Sequence, residues 1–176
     1  MTSNGEWLVA AGAVCFGLDP TVVTVRKSRL TYGVGVMTRF QRGVQPDSKL
    51  VRRRDADWCR DVFDRFVVVD RPLSLGDSVL RRYAPADPHQ TSIVIHVYSS
   101  ESSDVRFVTD PDVQQCGTLR LELLPAADDP VERPSVAARR REIQTRMMFG
   151  DTEIKVSALD VVTGRSVRAA VDFLNK

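Results

Sequence analysis

The last third of the chain contains three segments in which apolar and polar residues alternate, and this pattern constrains the fold more than any other feature. The apolar side of these segments comprises Ile143, Thr145, Met147 and Phe149; Ile154, Val156 and Ala158; and Val167, Ala169, Val171 and Phe173. A period of two residues is typical of a β-strand with one buried face. Gly150-Asp151 and Thr163-Gly164 separate the segments, so we predict a three-stranded antiparallel meander that buries its apolar face against a second layer.

Further strands are predicted upstream of this meander. Their ranges are 62–69, 79–85, 92–98, 104–109 and 117–124, together with the β-branched stretch 21–40, which is interrupted by two glycines. Short strands that each have a single apolar face predict a mainly β protein, a β-sandwich of seven or eight strands. The polar segment 41–61 is predicted to be a long loop or insertion, and the Pro-rich, charged segment 125–140 a mobile connection.

One helix is predicted, over residues Gly5 to Leu18. Trp7, Ala11 and Val14 recur there at helical spacing, and small residues between them allow close packing against another helix. No other long helix is predicted in this sequence. We therefore expect the natural packing partner of this helix to be missing from the sequence.

Composition excludes several classes of protein. The chain has 176 residues and a formal net charge of +2, which is too small to indicate nucleic-acid binding. Its three cysteines are far apart and show no CxxC spacing, which favours reduced thiols in the cytoplasm or nucleus. No apolar run approaches the ~18 residues that a membrane span requires, and the N-terminus does not resemble a secretory signal.

Residues that could carry chemistry are few. His89 and His96 are the only histidines and have no cysteine at ligand spacing, so neither a metal site nor a catalytic residue is predicted. Ser99, His96 and Asp104 could be drawn as a hydrolytic triad, but any polar strand surface offers as much. The arginine runs 52–54 and 139–141 could bind phosphates or anionic lipid. The acidic residues near them instead favour the interpretation that both runs lie in solvated loops.

Several motifs together resemble one family. "FGDTEIKVSALDVVTGRSV", "YAPADPHQTSIVIHVYSSE", "GTLRLELL" and "LTYGVGV" resemble strands of the substrate-binding sandwich of 70-kDa heat-shock proteins. "WCRDVFDRF" and "DFLN" resemble the atypical heat shock 70 kDa protein 12 branch. The resemblance covers residues 29–175. It implies that residues 1–20 are the last helix of an actin-like ATPase domain, 21–30 the interdomain linker or first strand, and 31–176 the sandwich.

By this resemblance the sandwich clamps an extended peptide between two loops above an apolar pocket. The positions that match the family's groove are Val34, Val36, Met37, Tyr83, Ala84, Ala86, Ile93 and Ile95. The implied partners are unfolded or extended polypeptide clients, with signalling proteins as further partners, in the cytoplasm and also the nucleus. ATP and Mg²⁺ would bind only to the full-length parent, so no cofactor and no enzymatic activity are expected for this chain.

Three departures from the family pattern affect these expectations. The insertion 38–61 lies beside the groove, Pro85 lacks an N–H that could bind a peptide, and the linker is basic where the family's is acidic and apolar. The alternative hypothesis is therefore a protein-interaction scaffold whose groove is closed. An open apolar slot between the 34–37 and 83–86 loops would favour peptide binding, and a filled slot would favour the scaffold.

Overall fold

The computed structural model describes residues 25–53, 56–85, 90–123, 141–150 and 152–172, and these form eleven β-strands and one 3₁₀ turn at Asp47–Lys49. The strands are β1 (Val25–Lys27), β2 (Thr31–Arg39), β3 (Leu50–Arg52), β4 (Asp57–Val67), β5 (Pro72–Ser74), β6 (Ser78–Tyr83), β7 (Ser92–Ser100), β8 (Val113–Glu122), β9 (Ile143–Phe149), β10 (Glu153–Asp160) and β11 (Ser166–Asp172). The predicted helix over residues 5–18 lies outside the described residues.

Two antiparallel sheets form a sandwich, which confirms the predicted mainly β fold. One sheet has four strands in the order β11-β10-β9-β6, and the other has five in the order β3-β4-β2-β7-β8. A separate pair joins β1 to β5, with Val25 opposite Ser74 and Lys27 opposite Pro72. The segment just before the first long strand is therefore held against the turn region that follows β4.

The core lies where the apolar faces of the two sheets meet. The predicted alternation is confirmed in β9, where Ile143, Thr145, Met147 and Phe149 are all buried, and in β10, where Ile154, Val156 and Ala158 are. The five-stranded sheet contributes Val34, Val97, Leu119 and Leu121, among others. The sheets approach closely at Gly117, because a Cβ atom there would lie 3.0 Å from the Val171 Cγ2 atom.

The prediction that residues 41–61 form only a loop or insertion without strands is wrong in part. Residues 50–52 form strand β3, which pairs with residues 57–59 at the start of β4. The segment was difficult to recognise because β3 has only three residues at the edge of its sheet, too few to show an alternating pattern. Arg39 on β2 lies over the Trp58 ring, 4.6 Å from the centroid, so the insertion has packing of its own.

The prediction of a regular strand at 104–109 is also wrong. A single bridge joins Val62 to Phe107 there, and the neighbouring backbone forms a turn. The Asp110 carboxylate explains the turn, since it accepts hydrogen bonds from the backbone N–H groups of Arg106 (3.0 Å) and Phe107 (3.1 Å). Conversely, residues 72–74 form strand β5 in a region that was predicted to be a turn.

A buried ion pair anchors the predicted Thr-Gly turn between β10 and β11. The Asp160 side chain is fully buried and accepts hydrogen bonds from Arg141 Nε (3.0 Å) and Thr163 Oγ1 (2.6 Å). Burial by itself raises the pKa of Asp160, but the hydrogen bonds and the Arg141 charge outweigh it and hold that pKa below its ordinary value. Gly164 completes the turn with a positive φ of 70°, which glycine adopts without strain.

No helix long and apolar enough to cross a membrane occurs in the part of the chain that the structure describes.

Candidate peptide-binding groove

The two central strands of the five-stranded sheet separate at one end. β2 and β7 pair from Thr31 opposite Ser100 to Val34 opposite Val97. Beyond this last pair, residues 35–39 of β2 pair only with β4, and residues 92–96 of β7 pair only with β8. The two strands therefore part beyond this pair, and the main-chain groups of these two segments have no partner in the β2–β7 ladder. We call the region between residues 35–39 and 92–96 the cleft.

The predicted groove residues that the structure describes differ in burial. Val34 and Ile95 belong to the core, with 1% and 6% of their surface exposed. Val36, Tyr83 and Ile93 are half-buried and pack against the end of the core. All five residues therefore either belong to the core or pack against it.

The remaining predicted residues differ in their surroundings. Ala84 is exposed and directly follows Tyr83 at the end of β6, and Ala86 lies outside the described residues. Met37 is half-buried, and its sulfur atom lies 3.7 Å from Arg53 Nη2. Arg53 comes from the insertion and was not among the predicted residues. The insertion thus contacts one of the two loops predicted to hold a peptide.

A bulge and a set of polar contacts fix the insertion at this position. The ladder between β2 and β4 shifts register between Val36 and Thr38, and Asp61 in the same region has a positive φ of 61°. Lys49 Nζ lies 2.9 Å from Asp61 Oδ2 and 2.7 Å from Thr109 Oγ1, so it ties the insertion both to β4 and to the loop before β8. The insertion is accordingly packed against the sandwich beside the cleft.

A hydrogen bond joins the edge strand β6 of one sheet to β4 of the other sheet. Tyr83 on β6 donates its hydroxyl to Asp64 Oδ2 on β4 at 2.7 Å, and Arg81 Nε lies 3.8 Å from Asp64 Oδ1. Burial raises the pKa of Tyr83, and the hydrogen bond to Asp64 and its charge raise it further. The phenol therefore remains neutral and keeps its donor role. Sequence analysis missed Asp64, although a carboxylate inside the apolar run "VFDRFVVV" was an available signal.

The described residues contain no group of side chains arranged for hydrolysis or for metal binding. Within the described ranges, no three His, Cys, Asp or Glu side chains are grouped so that they could hold a metal ion. His96 Nδ1 lies 3.1 Å from Thr118 Oγ1. Ser99 lies three residues further along β7, so strand alternation turns its side chain to the opposite face of the sheet. Ser99 and His96 are therefore not brought together.

Comparison with known proteins identifies the family. No protein-family model matches the chain. Over 167 residues it is 51% identical to human "Heat shock 70 kDa protein 12A", 50% identical to the mouse protein of that name and 51% identical to human "Heat shock 70 kDa protein 12B". The chain belongs to the heat shock 70 kDa protein 12 family. The motif-based prediction of this branch is thereby confirmed.

The match covers 95% of this chain but only 24% of each of the three relatives, in their C-terminal part. The chain thus spans about a quarter of the length of the heat shock 70 kDa protein 12 members that it matches. Family membership therefore shows that the chain is related to heat-shock proteins. It does not identify a ligand for the cleft.

Proposed function

We propose that this chain binds extended, apolar peptide segments in the cleft between β2 and β7. The observation that carries the proposal is the separation of these two strands beyond Val34 and Val97 while both continue as strands. A peptide in an extended conformation could pair with main-chain groups that face the cleft, as in other recognition modes based on β-strands. Val36, Tyr83 and Ile93 would then receive an apolar side chain of the peptide.

The chemistry of the walls is consistent with this role. Half-buried apolar residues at the end of the core lose contact with water when a leucine-sized side chain covers them, and burial of such a side chain is worth about 1.5–3 kcal/mol. The hydrogen bond from Tyr83 to Asp64 holds one wall in place before any peptide arrives, which reduces the entropy lost on binding. Pro85 follows Ala84 on this wall and supplies only a carbonyl group for main-chain bonding.

The experiment compares two neighbouring residues on β7 that face opposite ways. Ile93 packs against the core on the inner face of the sheet, whereas Val94 is 45% exposed on the other face. Binding of a fluorescein-labelled leucine-rich heptapeptide is measured by fluorescence anisotropy for Ile93→Asp and for the matched control Val94→Asp. We expect Ile93→Asp to weaken binding at least tenfold and Val94→Asp to leave it within twofold of the unmodified chain.

A second variant is needed because Ile93→Asp places a charge on an apolar face and could unfold the chain. Ala84→Trp adds bulk at an exposed position beside Tyr83, so it should narrow the cleft while thermal melting stays unchanged. Equal peptide affinity in the Ala84→Trp variant and the unmodified chain, with equal melting temperatures, would show that the cleft is not the binding site.

A second candidate function is a protein-interaction scaffold with a closed groove, and the contact between Arg53 and Met37 favours it. If the insertion covers the cleft, Arg53→Ala should increase peptide affinity. If the cleft is already open, the same variant should leave affinity unchanged. Titration of both proteins with the same heptapeptide distinguishes the two candidates.

We further propose that the full-length parent is an ATP-binding chaperone of the cytoplasm, and also the nucleus, whose clients are unfolded or extended polypeptides. Signalling proteins are additional proposed partners. The chain itself would bind no nucleotide and catalyse no reaction, because its described residues form only the sandwich and the small β1–β5 sheet. Calorimetric titration of this chain with Mg-ATP tests the last point, and saturable micromolar binding would contradict it.

A further inference from the structure

A second concave surface lies far from the cleft, on the outer face of the four-stranded sheet. It is a trough of about 660 Å³, within the range of ligand sites in proteins. Its lining combines apolar side chains with cations. These are Leu80, Met148 and Leu159, together with Arg146, Lys155 and Arg168. Neither the fold nor the proposed peptide site uses this face.

Two arginines flank a serine within the trough. Ser157 on β10 is paired with Arg146 on β9 and with Arg168 on β11, so the three residues form one row across three strands. Neighbouring strands are about 4.8 Å apart, which places the two arginine Cα atoms roughly 10 Å apart. Two side chains of that length can converge on a single group above Ser157, whose hydroxyl adds a third donor.

Two acidic side chains on or next to this sheet have other partners. Glu153 lies 3.2 Å from Lys155, and Glu142 lies 3.6 Å from Arg82. Arg146 and Arg168 form no ion pair or hydrogen bond with any residue that the structure describes. Both guanidinium groups are therefore left to interact with an anionic ligand above Ser157.

We propose that this trough, centred on Ser157, binds a phosphorylated polypeptide segment. A phosphate monoester carries a charge of about −1.5 to −2 and three acceptor oxygens, which match two guanidinium forks and one hydroxyl. A single carboxylate would neutralise only one of the two arginines. The apolar residues Leu80, Met148 and Leu159 would contact side chains adjacent to the phosphorylated residue.

The shape and lining of the trough disfavour two other anionic partners. A lipid bilayer is flat on this scale, so its headgroups would meet the rim of a concave surface before they reached Ser157. Single-stranded nucleic acid binds through aromatic side chains that stack on its bases, and the lining contains no aromatic residue.

The test uses the full 176-residue chain and two peptides that differ only in the phosphate. The probe is a fluorescein-labelled nonapeptide with a central phosphoserine flanked by leucines, and its partner carries serine instead. Anisotropy titrations are performed on the unmodified chain, Arg146→Gln, Arg168→Gln and the matched control Arg120→Gln. Arg120 is an exposed arginine on β8, on the other sheet, 3.9 Å from Glu122.

We expect the phosphopeptide to bind at least tenfold more tightly than the serine peptide. Arg146→Gln and Arg168→Gln should each weaken phosphopeptide binding by about tenfold, as expected for the loss of a charge-assisted interaction. Arg120→Gln should have no effect, and thermal melts should show that all variants fold. The leucine-rich heptapeptide of the cleft should bind all four proteins equally, which separates this proposal from the proposed function.

Three results would overturn the proposal. The first is equal binding of the phosphorylated and unphosphorylated peptides. The second is equal weakening by Arg120→Gln, which would indicate non-specific attraction to positive charge. The third is binding to vesicles that contain phosphatidylserine, lost in Arg146→Gln and Arg168→Gln, without binding to the phosphopeptide, because the ligand would then be a membrane surface.

Discussion

The two sheets of the sandwich differ in regularity, and the difference indicates which one is suited to a binding role. In the four-stranded sheet the ladders β6–β9, β9–β10 and β10–β11 run without a register shift. The five-stranded sheet has two shifts between β2 and β4 and one between β7 and β8. A regular sheet buries its apolar face efficiently. An irregular sheet bends its strands, and here the bends accompany the cleft.

The irregularities have identifiable causes in single residues. Between Tyr32 and Gly33 the partner strand contains one extra residue, Phe66, which is buried in the core. Gly33 is closely covered by Phe63, so that only a residue without a side chain fits there. Such bulges turn β4 relative to β2. They bring Asp64 within reach of Tyr83 on the other sheet.

The largest expected effect is in the regular sheet, at the buried pair of Arg141 and Asp160. Asp160→Asn should lower the free energy of unfolding by about 3–5 kcal/mol, because the buried Arg141 would lose its ion pair with the Asp160 carboxylate. Urea denaturation at neutral pH measures the loss. Glu153→Gln, which removes an exposed partner of Lys155, is the matched control and should cost less than about 1 kcal/mol.

The same variant has a defined pH dependence. The pKa of Asp160 lies below its ordinary value of 3.8 in the folded chain, so its contribution is complete above pH 3.8. The contribution is lost as the pH falls from 3.8 through the lower folded pKa. The stability difference between the unmodified chain and Asp160→Asn should therefore shrink over that acidic range. A difference that stays constant from pH 6 to pH 2 would argue against the ion pair.

The next effect tests the irregular sheet at Gly33. Gly33→Ala places a Cβ atom 2.3 Å from the Phe63 ring and 2.4 Å from the backbone oxygen of Asp64, so we expect a loss of about 3 kcal/mol. Gly76→Ala is the control, because Gly76 has a positive φ of 87° with no atom within 4 Å, and strain alone should cost about 1 kcal/mol. Equal losses of stability in both variants would mean that β2 and β4 move apart easily to accommodate the added methyl group.

A smaller effect is expected where Tyr83 joins the two sheets. Tyr83→Phe removes the hydrogen bond to Asp64 and should cost about 1–2 kcal/mol in thermal or urea unfolding. The raised pKa of Tyr83 means that its contribution is complete below pH 10 and is lost as the pH rises beyond that value. The unmodified chain should therefore lose stability above pH 10 more steeply than Tyr83→Phe. Parallel curves for the two proteins would contradict this assignment.

The smallest effect concerns the insertion. Lys49→Met removes the contacts to Asp61 and Thr109 and should change global stability by less than about 1 kcal/mol. Hydrogen exchange should nevertheless become faster in residues 40–52, because local opening no longer breaks these contacts. Arg42→Met is the control, since Arg42 is largely exposed and lies 3.9 Å from Asp57. Faster exchange throughout the sandwich would show that the insertion and the core unfold as one unit.

The regular sheet is the part that could be predicted from sequence. Alternation in β9, β10 and β11 identifies the buried face, and the Thr163-Gly164 turn fixes their order. The irregular sheet was predicted less well, since β3 was missed and the segment 104–109 was assigned to a strand that does not form. Bulges break the period of two, and the edge strand β3 has only three residues, so neither produces a clear periodic signal.

The sequence by itself determined the mainly β fold, the alternating core faces and, through its motifs, the family of the chain. These features depend on local patterns, because the direction of a side chain in a strand follows from its position along the chain. Only the tertiary structure decided that β2 and β7 separate beyond Val34, that Arg53 contacts Met37, and that Arg146 and Arg168 flank Ser157. Each of these depends on which strands become neighbours and in what register, and residues distant in the sequence set that pairing together.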